Sequence, residues 1–504
     1  MSAEAPPTDA PPAARARSAK SAKSIGPLLL RVHFYAGILV APFLLVAALT
    51  GLAYAFTPQM ERAYYADEFV VSSPGGTVKP LSEQLTAARA THPEGAITAI
   101  RPGGGEKTTQ IDFTSPELDE EHAHTVYVNP YNAQVTGQLT TWWGSSPLRT
   151  WFDDLHTNLN LGTVGFFYSE LAASWLWVIA LGGVILWFRR QRGKRMLRPD
   201  LKAGRGVRRT RSFHASTGLW LSIGLLFLSA TGLTWSDYAG VNFGNAVDAL
   251  HGSRPAVSTE LAGATPAATG GGHHGGGAAP AEGTPADLTQ IDEVWQVAEA
   301  NGITGSPAIT VPADNQTAWN ITEMGALWPM DRDGIAVDGA TGQVTDRIDY
   351  ADWPVMAKLT QIGIYAHMGD LFGLPNQLLL AALAIGLITV IIWGYRMWWQ
   401  RRPTRNGTRA IVGAPPVGPG AWQQLPAWAI IAGVPVILAI GYFLPVLGVS
   451  LVAFLAIDLL LGAVRNRRRT TTIPVSPAPA GTRIEDKKPV AAPQGESRQG
   501  ADAT

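Results

Sequence analysis

The chain reads as an α-helical polytopic membrane protein: a four-helix core built as a duplicated unit, a C-terminal two-helix hairpin, and two external α+β domains. Three observations predict this. Six apolar stretches, at about 28–56, 170–188, 213–235, 377–399, 426–444 and 446–464, reach or approach the roughly 20 residues that cross a bilayer. A motif occurs twice: Arg31-Val-His33-Phe-Tyr-Ala-Gly37 runs on to Thr50-Gly51-Leu52, and Arg211-Ser-Phe-His214-Ala-Ser-Thr-Gly218 runs on to Thr231-Gly232-Leu233. Histidine to glycine is four residues and histidine to threonine is seventeen in each copy. Lastly, Lys and Arg gather between alternate spans, with eleven in residues 189–211 against the single acid Asp200.

That basic excess sets the orientation. The N-terminal arm carries Arg15, Arg17, Lys20, Lys23 and Arg31; Arg396, Arg401, Arg402 and Arg405 follow the fourth span; Arg465, Arg467, Arg468 and Arg469 follow the sixth. All fall on one side, read as cytoplasmic, of what would be a bacterial inner membrane. The first span is too long for a signal-peptide core and has an uncleavable twin, so it reads as a retained anchor despite Ala53-Tyr54-Ala55.

In order, residues 1–24 form a disordered Ala/Pro/Ser-rich arm, 25–56 the first span and 57–150 the first external domain. Residues 151–188 hold an external histidine segment and the second span, 189–212 a basic cytoplasmic loop, and 213–235 the third span. The second external domain is 236–360, with a Gly/His-rich insert at 253–286. A second histidine segment and the fourth span occupy 361–399, a cytoplasmic linker 400–425, the hairpin of spans five and six 426–464, and a disordered tail 465–504. Pro435 and Pro445 punctuate the hairpin.

The external segments resemble each other. Each opens on a short helix, Leu81–Ala90 or Leu288–Ala300, and closes on a hairpin pattern, Val126-Tyr-Val128-Asn129 to Gln134-Val135-Thr136 and Ile335-Ala-Val337-Asp338 to Gln343-Val344-Thr345. Spans two and four match more loosely. His156 and His367 each precede a glycine by six residues, and the spans end in Trp187-Phe-Arg189 and Trp393-Gly-Tyr-Arg396, five residues out of step.

With no cysteine, the chain has no disulfides, thiolate metal sites or thioether-linked haem. The net charge of zero says nothing about partners, and no nucleic-acid partner is expected; no P-loop or strand-following G-x-G-x-x-G is present, so an electron donor would be another molecule. Histidines at two depths of a bundle suit bis-histidine ligation of two b-type haems, His33 with His214 and His156 with His367. Gly37 and Gly218, one turn after His33 and His214, leave room for a flat macrocycle. The competing readings are headgroup-level histidines bonded to water and a proton or metal relay. The spans offer a relay only Asp458 as a clearly intramembrane acid. His273 and His274 in the Gly-rich insert are candidate metal ligands, and His122 and His124 beside Asp119, Glu120 and Glu121 read as a solvated strand approach.

Span, external domain, His-x5-Gly before the next span, Trp-x-Arg after it, and the repeat of all this resemble the PepSY-associated transmembrane proteins, the iron-regulated membrane proteins of the PiuB type, over about 25–405. The resemblance implies PepSY-like external domains and His33, His156, His214 and His367 as axial haem ligands. It implies a ferric-siderophore reductase in iron acquisition, taking electrons from a cytoplasmic or quinol donor and passing them to an external ferric siderophore. Two other readings stay open: a PepSY-domain regulator acting on peptides or an envelope protease, and a metal or metallophore transporter. Spans five and six lie beyond the family's usual unit.

Overall fold

The computed structural model describes residues 24–191, 196–261, 287–402, 413, 415–416 and 425–470, with the side chains of 465–470 excepted. Most of the N-terminal arm, the tail from 471, and residues 262–286 with His273 and His274 lie outside the described residues.

The chain starts with α1 (Gly26–Leu39) and α2 (Ala41–Tyr54), which cover the first apolar stretch but meet at an angle of 56°. Pro42, in the first turn of α2, causes the break, because its ring supplies no N–H and displaces the carbonyl four residues back, that of Ile38. That carbonyl is not orphaned: the Tyr395 hydroxyl donates to it at 2.8 Å. Short helices α3 (Thr57–Tyr64) and α4 (Ala66–Phe69) lead out of the bundle to α5 (Leu81–Thr91). Four strands follow: β1 (Ile97–Arg101), β2 (Thr109–Phe113), β3 (His122–Val128) and β4 (Val135–Trp142).

The chain returns through α6 (Pro147–Thr157) into α7 (Thr163–Arg190), then crosses again as α8 (Val207–Leu233). Next come α9 (Ala239–Ala249), α10 (Ile291–Ala300) and strands β5 (Pro307–Thr310), β6 (Trp319–Glu323), β7 (Gly334–Val337) and β8 (Val344–Ile348). Helices α11 (Val355–Met368) and α12 (Leu374–Gln400) repeat the return, and α13 (Ala427–Phe443) and α14 (Pro445–Thr470) end the described chain.

The strands of both halves join in one antiparallel sheet of order β4-β3-β2-β1-β5-β6-β7-β8. Two stretches that read as separate domains therefore share a seam, where Ala99 and Ile100 of β1 face Thr310 and Ile309 of β5. Alternation along the strands sends Ile100, Ile111, Val126, Ile309, Ile321 and Ile335 to one face, where α5 and α10 cover them with Leu85, Ala88, Ile291, Val294 and Ala298. The two expected hairpins form in the same register. Val128 pairs Val135 and Asn129 N–H donates to Gln134 at 2.8 Å; Val337 pairs Val344 and Asp338 N–H donates to Gln343 at 2.9 Å.

Below the sheet, α7, α8 and α12 are long and apolar enough to cross a membrane, as is α14 over Pro445–Val464 and the bent α1/α2 pair taken as one. This is a membrane protein whose helices contact a lipid bilayer. Six spans were expected and five meet the length; α13, at 17 residues, spans about 25 Å, short of the roughly 30 Å hydrocarbon core. Close packing in the bundle uses glycine. A methyl at Gly224 would meet Leu383 at 2.5 Å, and one at Gly386 would meet Leu221 at 2.7 Å.

If the Tyr395 hydroxyl replaces the backbone bond lost at Pro42, Tyr395→Phe should cost about 1 kcal/mol by leaving a buried carbonyl unpaired. In a Pro42→Ala background residue 42 regains its N–H, and the same change should be nearly neutral. Thermal unfolding of the four-member cycle in detergent reads this coupling.

Candidate functional site

Two helices that do not span, α6 and α11, carry His156 and His367 at their last turns. Each hands over to a spanning helix through a glycine N-cap six residues on: Gly162 has φ 59° and ψ −141°, and Gly373 has φ 58° and ψ −135°. That region is closed to residues with a Cβ. This is the physical content of the His-x5-Gly spacing. It lets a short capping helix turn sharply into a span and keeps the histidine over the bundle end.

The structure brings the four histidines together as two facing pairs. The rings of His33 and His214 have centroids 6.4 Å apart at 81°, and those of His156 and His367 are also 6.4 Å apart, at 49°. All four are half-buried. His214 and the residue that meets His367, Thr231, share α8, so the two pairs lie about 25 Å apart along it.

Each ring is oriented by a neighbouring helix through Nδ1. His33 Nδ1 lies 3.1 Å from the Ile179 carbonyl, and His214 Nδ1 lies 2.9 Å from that of Val390. Carbonyls only accept, so Nδ1 carries the proton in both rings. His156 Nδ1 lies 2.9 Å from Thr50 Oγ1, and His367 Nδ1 lies 2.6 Å from Thr231 Oγ1. The threonine hydroxyls already donate within their own helices, Thr50 to Val46 at 2.9 Å and Thr231 to Phe227 at 2.8 Å. At His33 and His214, whose acceptors are carbonyls, Nε2 therefore keeps its lone pair; at His156 and His367 the threonine hydroxyl can accept from Nδ1, which leaves Nε2 the same lone pair.

Glycine lies against every ring. A Cβ on Gly183 would meet His33 Cε1 at 3.0 Å, and one on Gly394 would meet His214 Cε1 at 3.8 Å; a Cβ on Gly51 would meet His156 Cε1 at 2.9 Å, and one on Gly232 would meet His367 Cε1 at 3.7 Å. The Thr-Gly-Leu triplets thus seat the opposite histidines, Thr by its hydroxyl and Gly by its missing side chain. Gly37 and Gly218 are different, since a Cβ on either meets nothing within 4 Å. Open space lies where the flat group was expected.

Spans two and four come into step once these contacts anchor them. Ile179 and Val390 are each 23 residues after the capping-helix histidine, and Gly183 and Gly394 are each 27. The tryptophan matching Trp187 is then Trp398, 31 residues from its histidine as Trp187 is, and not Trp393. Trp187 Nε1 donates to the Met196 carbonyl at 3.0 Å and Trp398 Nε1 to the Gly413 carbonyl at 2.8 Å.

A polar network ties the capping helices. Arg149 of α6 reaches Asp370, just after α11, at 2.6 Å, and Glu61 of α3 at 3.8 Å; Glu61 also accepts from Ser146 Oγ at 2.7 Å. Sequence reasoning missed these residues, which carry no motif and meet only in space. It also missed Glu170, fully buried in α7, whose Oε2 accepts the first amide of α9 (from Ala239) at 3.4 Å and that of Tyr238 at 3.0 Å. His122 bonds Asp119 at 2.6 Å, and among the described residues no group of three or more His, Asp or Glu is arranged to hold a metal ion.

The family described as PepSY-associated TM region matches residues 30–401. No curated protein matches the chain.

Burial, and then the neighbouring Asp154, push the Asp153 carboxyl up to about 6; burial also raises Glu61. Both acids are more easily protonated folded than unfolded, so stability should fall as pH rises from about 4 to 6. Asp153→Asn should flatten much of that slope and raise the unfolding midpoint at pH 7, measured by thermal melts across pH.

Proposed function

The chain belongs to the PepSY-associated TM family, and from that premise and the two histidine pairs we propose a transmembrane electron-transfer protein holding two b-type haems, His33 with His214 and His156 with His367 as axial ligands. The observation that carries the reading is the common setting of the four imidazoles: Nδ1 hydrogen-bonded to a fixed group on another helix, rings paired 6.4 Å apart. With a metal–imidazole bond of about 2 Å and roughly 1 Å more to each ring centre, imidazoles on opposite sides of one metal have centroids about 6 Å apart. The open space beside Gly37 and Gly218 supports a flat group at the first pair.

Bound haem would supply a one-electron Fe(III)/Fe(II) couple at each level. The protein's part is to hold the rings. Ile179 and Val390, Thr50 and Thr231 fix each imidazole's rotation and tautomer, and the facing glycines let the ring lie flat on the helix. The matched spacings support reading the core as a duplicated unit. The basic excess in 189–211 supports placing the His33–His214 pair near the cytoplasmic side and the sheet outside. Electrons would then pass from a cytoplasmic or quinol donor to an external acceptor. A ferric siderophore fits, because Fe(II) is held far less tightly than Fe(III) by hard oxygen donors.

Full-length protein from haem-sufficient cells should show a dithionite-reducible b-type spectrum with two haems per chain. His33→Ala or His214→Ala should remove one and leave the other; His156→Ala or His367→Ala should do the reverse. Gly37→Leu, which meets no protein atom at Cβ, should lose the first haem without lowering expression. Colourless protein under these conditions rejects the reading.

A further inference from the structure

The C-terminal hairpin lies beyond the matched family region, which ends at 401. It is nonetheless built into the core. Leu447 packs with Ala36, Val40 and Trp175, Trp175 Nε1 donates to Ser450 Oγ at 2.9 Å, and Asn242 donates to the Tyr442 carbonyl at 3.1 Å. Its one acid, Asp458, is buried in α14 and forms an ion pair with Arg31, which is equally buried in α1. Arg31 stands two residues before His33. Tyr35 lies under its guanidinium at 4.7 Å and against Phe454 of α14 at 5.9 Å. A buried ion pair is costly to separate.

We propose that Asp458 is a positioning residue for the His33–His214 pair: α14 holds α1 at Arg31, two residues along the helix from His33. This rests on the reading of the pair as a haem site. The hairpin is then part of the redox unit and not an added anchor. Because α1 is cut from α2 at Pro42, it needs such a lateral hold, which the unbroken α8 does not.

The test uses the full chain, whose lack of cysteine allows engineered pairs. Tyr35→Cys/Phe454→Cys should be joined by a short bis-maleimide. Adding Asp458→Asn should cut that cross-link severalfold, and the charge swap Arg31→Asp/Asp458→Arg should restore it. In haem-loaded protein, Asp458→Asn should raise the midpoint potential of the His33–His214 haem, since removing a negative charge favours the reduced form, and leave the other haem unmoved. Unchanged cross-linking, or an unchanged potential with the cross-link lost, overturns the proposal. If Asp458→Asn fails to insert, the charge swap decides, and failure to restore the cross-link overturns it. If wild-type protein carries no haem, the functional reading fails and the cross-link alone decides whether α14 holds α1.

Discussion

Each of the four imidazoles has its Nδ1 hydrogen-bonded to a group fixed on another helix, and the rest of the core is arranged around that constraint. A histidine at an unbonded helix end turns freely and mixes two tautomers. Here the partners are two main-chain carbonyls and two threonine hydroxyls. The carbonyls cannot donate back, so at His33 and His214 the tautomer is fixed by chemistry, and at all four rings the direction is fixed by geometry. The rings then face each other two by two.

That convergence needs close helices, which explains the glycines. An imidazole bonded to a main-chain carbonyl of the next helix must lie close to that helix, and a Cβ one turn further along would crowd His33 and touch His214. Gly183 lies four residues after Ile179, and Gly394 four after Val390. At the capping-helix pair the acceptor and the glycine are neighbours, Thr50-Gly51 and Thr231-Gly232. The two arrangements are different solutions to one steric problem.

Much of this was legible in the sequence because it was repeated. The exact spacings of His33 and His214 to Gly and to Thr-Gly-Leu named both the helices and the pairing of like with like, and the hairpin strands were legible from turn chemistry. What stayed hidden was contact between different elements. Thr50 and Thr231 stood out only as motif members, since their partners lie more than a hundred residues away. Trp393 drew attention over Trp398 because an arginine closely followed it; only the Val390 carbonyl shows which residue sits at the level of Trp187. The Arg149–Asp370 tie and the β1–β5 seam have no periodic signal at all. The break at Pro42 had one, a proline inside an apolar run, which the length of the run obscured.

The halves are not equal, and the inequality assigns α8 a particular part. The helix bearing His33 is cut before it reaches Thr50, whereas His214 and Thr231 lie on one continuous helix. A continuous helix has a fixed rise, so α8 alone sets the distance between the two pairs, about 25 Å. The α1/α2 pair cannot act as a ruler; it adapts, turning through 56° so that His33 and Thr50 meet their partners independently. Decoupling the two ends has a cost: α1 loses the stiffness that α8 has by continuity. Its position is held laterally, by the Tyr395 hydroxyl at the break and by α14 at Arg31 and Tyr35. Both supports come from outside the α1/α2 pair, which is why the bent helix, and not its straight counterpart, is the one that carries an ion pair to the C-terminal hairpin.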